Sequence, residues 1–129
     1  CDLSYVFDNQ RPIYLQLQEI FSQLIVSGFW PPGERIASVR ELAMTYGVNP
    51  NTVQRALSEL ERDGLMHTER TSGRFVTDDQ KLIEQVRQRL ARDKVEQLIQ
   101  QITVLGCGKE ELLRLIDEKW GLSHESDRR

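Results

Sequence analysis

The sequence predicts a mainly α-helical chain with one small β-hairpin, arranged as a winged helix-turn-helix domain over residues 1–77 and a two-helix segment over residues 78–129. Three observations predict it. Apolar residues recur at helical spacing in successive stretches, two of those stretches are parted only by Gly47 and the few residues before Asn49-Pro50, and two short strand-like segments flank Arg70-Thr71-Ser72-Gly73.

The first helix rests on Ile13, Leu17, Ile20 and Leu24, with Phe21 and Ile25 alongside, a stripe that buries one side of an amphipathic helix. Pro12 suits its start and Gly28 its stop. Two prolines in Phe29-Trp30-Pro31-Pro32-Gly33 disfavour helix, and Pro-Gly favours a turn. Ser38-Val39-Arg40-Glu41 then matches a capping box, in which Ser38 and Glu41 satisfy free backbone donors. Val39, Leu42, Ala43 and Tyr46 form the buried face of that helix, and Gly47 ends it.

Asn49 as N-cap and Pro50 at the first helical position open the next helix at once, so a tight helix-turn-helix results. Ala43 lets the two helices approach, Gly47 supplies a left-handed turn, and Val53 anchors the second helix on the first. Val53, Ala56, Leu57 and Leu60 are its buried positions, and it runs to Asp63-Gly64. Asn51, Thr52, Gln54, Arg55 and Ser58 make up its other face. Residues 65–69 and 74–77 read as strands around the turn at 70–73, which makes a hairpin wing.

Residues 78–105 contain neither Pro nor Gly, so a long helix is allowed. Its apolar residues change face partway: Leu82, Ile83, Val86 and Leu90 share one side, and Ala91, Val95, Leu98, Ile102 and Leu105 lie on a side rotated by roughly 90° or more. Two faces imply two partners. The first packs on the preceding domain, and the second on another helix, the chain's own or a second subunit's. After Gly106-Cys107-Gly108 the helix resumes over residues 111–121, with Leu112, Ile116 and Trp120 as its stripe.

Composition narrows the function. Hydrophobic residues make up 39% and charged residues 29% of 129, which describes one ordinary folded domain with a small helical appendage and leaves no room for a large ligand-binding domain. No apolar run approaches the roughly 20 residues that cross a bilayer, and the first residues lack the basic start and apolar stretch of a signal peptide, so the reading is cytoplasmic, with no membrane partner. Cys1 and Cys107 have no neighbouring Cys or spaced His to complete a metal site and read as reduced and structural. With His67 and His124 the only histidines and no glycine-rich phosphate loop, catalysis has no converging groups, so neither enzyme activity, cofactor nor metal is expected.

A net charge of −3 argues against nucleic acid unless the cations are local. Residues 1–79 carry seven basic and eleven acidic side chains, so any cationic surface must be a stretch without acids. Residues 47–58 hold Arg55 and no acid, and residues 70–77 hold Arg70 and Arg74 and no acid. Asn, Thr and Gln at the start of the second helix can read base edges in a major groove about as wide as a helix, and its free N-terminal amides favour a phosphate. A winged module that binds only protein would tolerate acids on this helix and on the wing; their absence from residues 47–58 favours double-stranded DNA.

The wider string is specific. Pro12-Ile13-Tyr14, Gly28, Pro32-Gly33-Glu34-Arg35-Ile36, Ser38-Val39-Arg40-Glu41-Leu42-Ala43, Val48-Asn49-Pro50-Asn51-Thr52-Val53, Arg55-Ala56-Leu57, Leu60-Glu61, Asp63-Gly64-Leu65 and Gly73-Arg74-Phe75-Val76 together resemble, over about residues 11–77, the GntR family of bacterial regulators. The tail of some fifty residues is too short for the effector domains of the FadR-like or HutC-like branches and resembles the two-helix tail of the YtrA-like branch. Two departures stand out: Ala37 where the family commonly has Pro, and Ser72 where a glycine is frequent.

The resemblance implies a homodimer and a repressor, and a transcription-regulating site on double-stranded DNA. It carries DNA contact onto Arg40, Asn49, Asn51, Thr52 and Gln54, and onto Arg70 and Gly73 in the wing; chemistry adds Arg55, Ser38 and Arg74. The bland alternatives are that Arg40 bridges to an acid of its own domain and that Arg74 is a solvated strand residue. Val95, Leu98, Ile102, Leu105, Leu112, Ile116 and Trp120 are the expected dimer interface. An unidentified small-molecule effector stays open as a further partner.

Overall fold

Each helix of the first half forms where its caps and apolar spacing place it. Residues 7–123 are described by the structure, a computed structural model. Helix α1 (Ile13–Val26) starts after Pro12 and buries Leu17, Phe21 and Ile25. Helix α2 (Val39–Tyr46) carries the expected capping box, with Glu41 N–H donating to Ser38 Oγ and Ser38 N–H to Glu41 Oε1, both at 3.1 Å. Gly47 closes it at φ 66°, a left-handed conformation that a side chain would strain by about 1–2 kcal/mol. Helix α3 (Pro50–Arg62) follows immediately and buries Val53, Ala56, Leu57 and Leu60 against α1 and α2.

Aromatic packing ties the approach loop to this core. Phe21 stacks on Trp30 with ring centroids 5.3 Å apart and meets Tyr46 edge-on at 5.8 Å, so one buried ring joins α1, the loop after it and the end of α2.

Strands β1 (Met66–Glu69) and β2 (Gly73–Val76) pair antiparallel, Met66 opposite Val76 and Glu69 opposite Gly73. Both edges differ slightly from the sequence reading: Leu65 and Thr77 lie just outside, joined by a Thr77 N–H to Leu65 carbonyl bond of 2.8 Å, and Gly73 belongs to the ladder. The wing also gains a third edge. Arg35 bridges Phe75, the Gly33 and Ile36 amides donate to Val76 and Arg74 carbonyls at 3.0 Å, and the Val76 amide donates to Glu34 at 2.9 Å. The loop ahead of α2 is therefore stitched along β2.

Helix α4 (Gln80–Val104) begins where Asp79 Oδ1 accepts from Leu82 N–H at 3.1 Å. Its first turns belong to the same compact unit as the preceding residues, and that unit extends to Gln88. Ile83 and Val86 are buried there, and Leu82 lies 3.2 Å from where a Cβ on Gly64 would stand, so these three residues of the expected first face pack within this unit, while Leu90 belongs to the second.

Residues from Arg89 onward form a second compact unit. Here α4 ends at Val104, so Leu105, expected on the helix, lies just past it. Gly106, at φ 80°, and Cys107 donate back to Thr103 and Ile102 carbonyls at 2.9 and 3.2 Å, and this closure ends the helix and turns the chain. Helix α5 (Lys109–Ser123) follows, and starts two residues earlier than the periodicity suggests because Leu112 N–H already reaches the Gly108 carbonyl. No described helix is long and apolar enough to cross a membrane.

Candidate nucleic-acid interface

Helix α3 buries Val53, Ala56, Leu57 and Leu60 to the last, and the same periodicity turns Asn51, Gln54, Arg55 and Ser58 outward. Asn49 and Asn51 are exposed and Thr52 is half-buried. Two concave patches gather most of the residues that the sequence singles out. One, a cleft of about 260 Å³, brings Ser38 beside Gly73 and Arg74 and adds Arg35 and Thr68. The other sets Asn51, Thr52 and Arg55 beside Ile13 and Tyr14 at the start of α1. Arg40, Asn49, Gln54 and Arg70 line neither patch but are exposed on the same elements.

Several of these side chains already have work inside the protein. Asn49 Oδ1 accepts from the Asn51 amide at 2.7 Å, and the Asn49 carbonyl accepts from Thr52 N–H at 2.9 Å. This corrects the expectation of free amides at the start of α3: the cap that begins the helix consumes them. A ligand there would meet side chains, with the Asn49 NH₂ still able to donate. Ser38 Oγ accepts from the Glu41 N–H in the same way, and its hydroxyl proton, turned toward the Glu41 carboxyl, can rotate to an outside acceptor. Hydrogen bonds donated to the Glu41 carboxyl by Ser38, first from its backbone N–H and then from its hydroxyl, hold it below the ordinary carboxylate range. Gln54 donates weakly to Ser58 at 3.4 Å, a contact a base edge could replace.

Arg74 behaves as neither a free anchor nor a solvated strand residue. Its Nε donates to Glu61 Oε1 at 3.2 Å with only 15% of the side chain exposed, and Thr68 donates to the same carboxylate. Glu61 thus fastens the wing to the last turns of α3. Burial pushes its pKa up, but the bonds from Thr68 and Arg74 and the charges of Arg74 and His67 outweigh that and hold it below the usual range. A folded carboxyl so depressed contributes stability that is complete above its unfolded value, about 4.3, and lost as pH falls through the folded one. Glu61→Gln should therefore destabilise the protein by about 1 kcal/mol at neutral pH. It should also flatten the acid limb of a pH–stability curve followed by urea unfolding; an unchanged acid limb would contradict the fastening role.

The charge distribution decides which cations remain for a partner. Of the seven arginines in residues 1–79, Arg11 pairs with Glu19, Arg62 with Glu59 and Arg74 with Glu61. Arg35, Arg40, Arg55 and Arg70 meet no acid within 4.0 Å among the described residues. Among the described residues, the internal ion pair considered for Arg40 does not form. Arg55 lies over the Tyr14 ring, 3.7 Å from its centroid, a contact that orients the guanidinium without neutralising it. Arg35 and Tyr14 escaped the sequence reading as site residues; their signal was the Gly33-Glu34-Arg35-Ile36 and Pro12-Ile13-Tyr14 strings themselves.

The remaining expectations fall away from this surface. His67 is exposed, stacks on Phe75 at 5.8 Å and lies 3.4 Å from Glu69, a strand-surface role. Cys107 has its thiol pKa pushed up by a hydrogen bond with Glu111, then by burial, the opposite of a reactive thiolate. Cys1 and His124 lie outside the described residues. In the second unit Val95, Leu98, Leu105, Ile116 and Trp120 are exposed and Ile102 and Leu112 half-buried, joined by Ile99, Leu113 and Leu122, which the periodicity left out.

Comparison with known proteins gives this surface a context. The model of the gntR family of bacterial regulatory proteins matches residues 13–76. The HTH-type transcriptional repressor YtrA of Bacillus subtilis (strain 168) is 34% identical over 111 residues, covering 85% of this chain and 85% of YtrA. A GntR family transcriptional regulator from Listeria monocytogenes is 37% identical in its solved structure, with a TM-score of 0.79 over 87% of this chain and 98% of that one. The solved AraR DBD in complex with operator ORX1 shares 27% identity at a TM-score of 0.53, covering 57% of this chain and 94% of its own.

Proposed function

The chain belongs to the GntR family of bacterial regulatory proteins, transcriptional regulators with a DNA-binding domain and not enzymes, and from that premise we propose that it is a cytoplasmic repressor that binds a pseudo-palindromic operator as a homodimer. Residues 1–77 form the DNA-binding domain in this reading and residues 78–129 the dimerisation tail. The observation that carries it is the separation of charge: in an acidic protein Arg35, Arg40, Arg55 and Arg70, on the helix-turn-helix, its approach loop and its wing, meet no acid within 4.0 Å among the described residues.

Helix α3 enters the major groove with Asn51, Thr52 and Gln54 toward the base edges, where amides can pair in two places with an adenine. Asn49 and Ser38 donate to the flanking backbone, and Arg40 and Arg70 supply phosphate charge from α2 and the wing. Gly73 lets the wing backbone approach closely. The AraR complex with an operator supports a DNA partner for this fold, and the name of YtrA supports repression.

In a dimer the two α3 helices are related by a two-fold axis, so the preferred site must repeat its half-sites on matching groove faces. Selection of bound duplexes from a random pool, followed by footprinting of the winner, should recover an inverted repeat with half-sites about 10 base pairs apart centre to centre or a multiple of that. A single asymmetric footprint, or no enrichment, would contradict the reading.

A further inference from the structure

Arg35 meets no acid within 4.0 Å among the described residues, and the reading above gives it no role. Its backbone is tied into the wing by the bridge to Phe75, flanked by the Gly33–Val76 and Ile36–Arg74 bonds, so its Cα is as firmly placed as a strand residue. Its side chain is laid across Gly73. A Cβ built on Gly73 would come within 2.8 Å of Arg35 Nε and 3.5 Å of Cζ and Nη2, so the guanidinium occupies the space that any other residue in the wing would fill. Gly73 also adopts φ 115°, which other residues rarely do. That glycine is needed twice, once for its backbone and once as the seat of Arg35.

Arg35 remains exposed in this seat and lines the cleft that it shares with Ser38, Thr68, Gly73 and Arg74. No acid lines that cleft; Glu41 feels the Arg35 charge from outside ion-pair distance, and Glu61 is engaged by Thr68 and Arg74. A cation bridged to β2 at the junction of wing and α2, with no acid within 4.0 Å among the described residues, is built for an anion that arrives from outside. On the reading that the surface binds DNA, that anion is a backbone phosphate.

We propose that Arg35 is a DNA-phosphate contact that joins the wing to the start of α2 on one stretch of backbone, seated by the absence of a side chain at Gly73. It adds affinity for every sequence and reads none, because a phosphate carries no base identity.

The test is fluorescence anisotropy of the full chain with a mixed-sequence duplex and with the duplex recovered by selection, at several salt concentrations. Arg35→Gln should lower the salt slope by about one unit on both duplexes, which corresponds to binding roughly eightfold weaker at 0.1 M salt and roughly twofold weaker at 0.5 M. Arg35→Lys keeps the charge and should regain most of the slope. Arg62→Gln, which removes a cation already paired with Glu59, should leave it unchanged. If Arg35→Gln lowers the melting temperature, Arg35→Lys decides between the roles: a retained slope supports the phosphate contact, and a lost one means that only packing over Gly73 matters. Wild type that binds while Arg35→Gln matches it, or loses affinity on the selected duplex alone, overturns this inference and leaves the DNA-binding reading standing. Wild type that binds neither duplex overturns both.

Discussion

Leu98→Glu should turn the protein into a monomer and weaken its hold on a duplex with two half-sites by roughly 10²- to 10⁴-fold, because linked domains bind the second half-site at a high effective concentration that separate ones lose. The reasoning starts from what the tail leaves uncovered. In the second unit Val95 is 54% exposed and Trp120 60%, and Leu98, Ile99, Leu113 and Leu122 are exposed with them. Apolar groups so concentrated on two helices mark an interaction site more often than a free surface. In the proposed reading a second copy of the same tail covers them across a two-fold axis. Placing a carboxylate at Leu98 puts a charge in the dry centre of that contact, where its desolvation costs several kcal/mol. Leu98→Met conserves volume and polarity and should leave the dimer intact. Ile102→Glu should behave as Leu98→Glu does. Sedimentation at micromolar concentration checks all three, and a monomeric wild type would remove the tail from this role.

Most of the fold is legible in the sequence because its signals are local. The Ser38–Glu41 box, Gly47 and Asn49-Pro50 act within three residues of the backbone they shape, and they begin and end α2 and α3 where the structure does. The change of face along α4 is equally local, and the burial of Ile83 and Val86 against the exposure of Val95 and Leu98 follows it.

What escaped depends on encounters that no window reveals. Residues 33–36 join β2 through pairing across some forty positions, and so short a stretch carries no periodicity to announce it. Glu61 meets Thr68 and Arg74, seven and thirteen residues away, only once the wing folds back on α3. Arg55 finds Tyr14 through the packing of α1 on α3. The site is therefore readable by residue type, and its charge balance only from the assembled structure. Arg74, which chemistry alone adds to the site, is held by Glu61 in the folded protein.

The second large effect separates base reading from anchoring. Asn51 and Gln54 present amides from the exposed face of α3, and each lost pairing with a base edge should cost about 1–3 kcal/mol on the selected site. Asn51→Ala and Gln54→Ala should therefore bind that site up to roughly a hundredfold more weakly and hold mixed-sequence DNA almost unchanged. Arg40 and Arg70 carry fixed charge with no acid within 4.0 Å among the described residues, so their loss should be felt on every sequence. In a chain with a net charge of −3, few other cations can mask the change.

The decisive measurement is the salt dependence of binding for wild type, Arg40→Ala and Arg70→Ala on selected and scrambled duplexes. Wild-type affinity should fall steeply with salt despite the acidic chain, and each substitution should lower that slope by about one unit and weaken both duplexes alike. If both substitutions leave affinity and slope unchanged, the DNA-binding surface does not lie on α2, α3 and the wing.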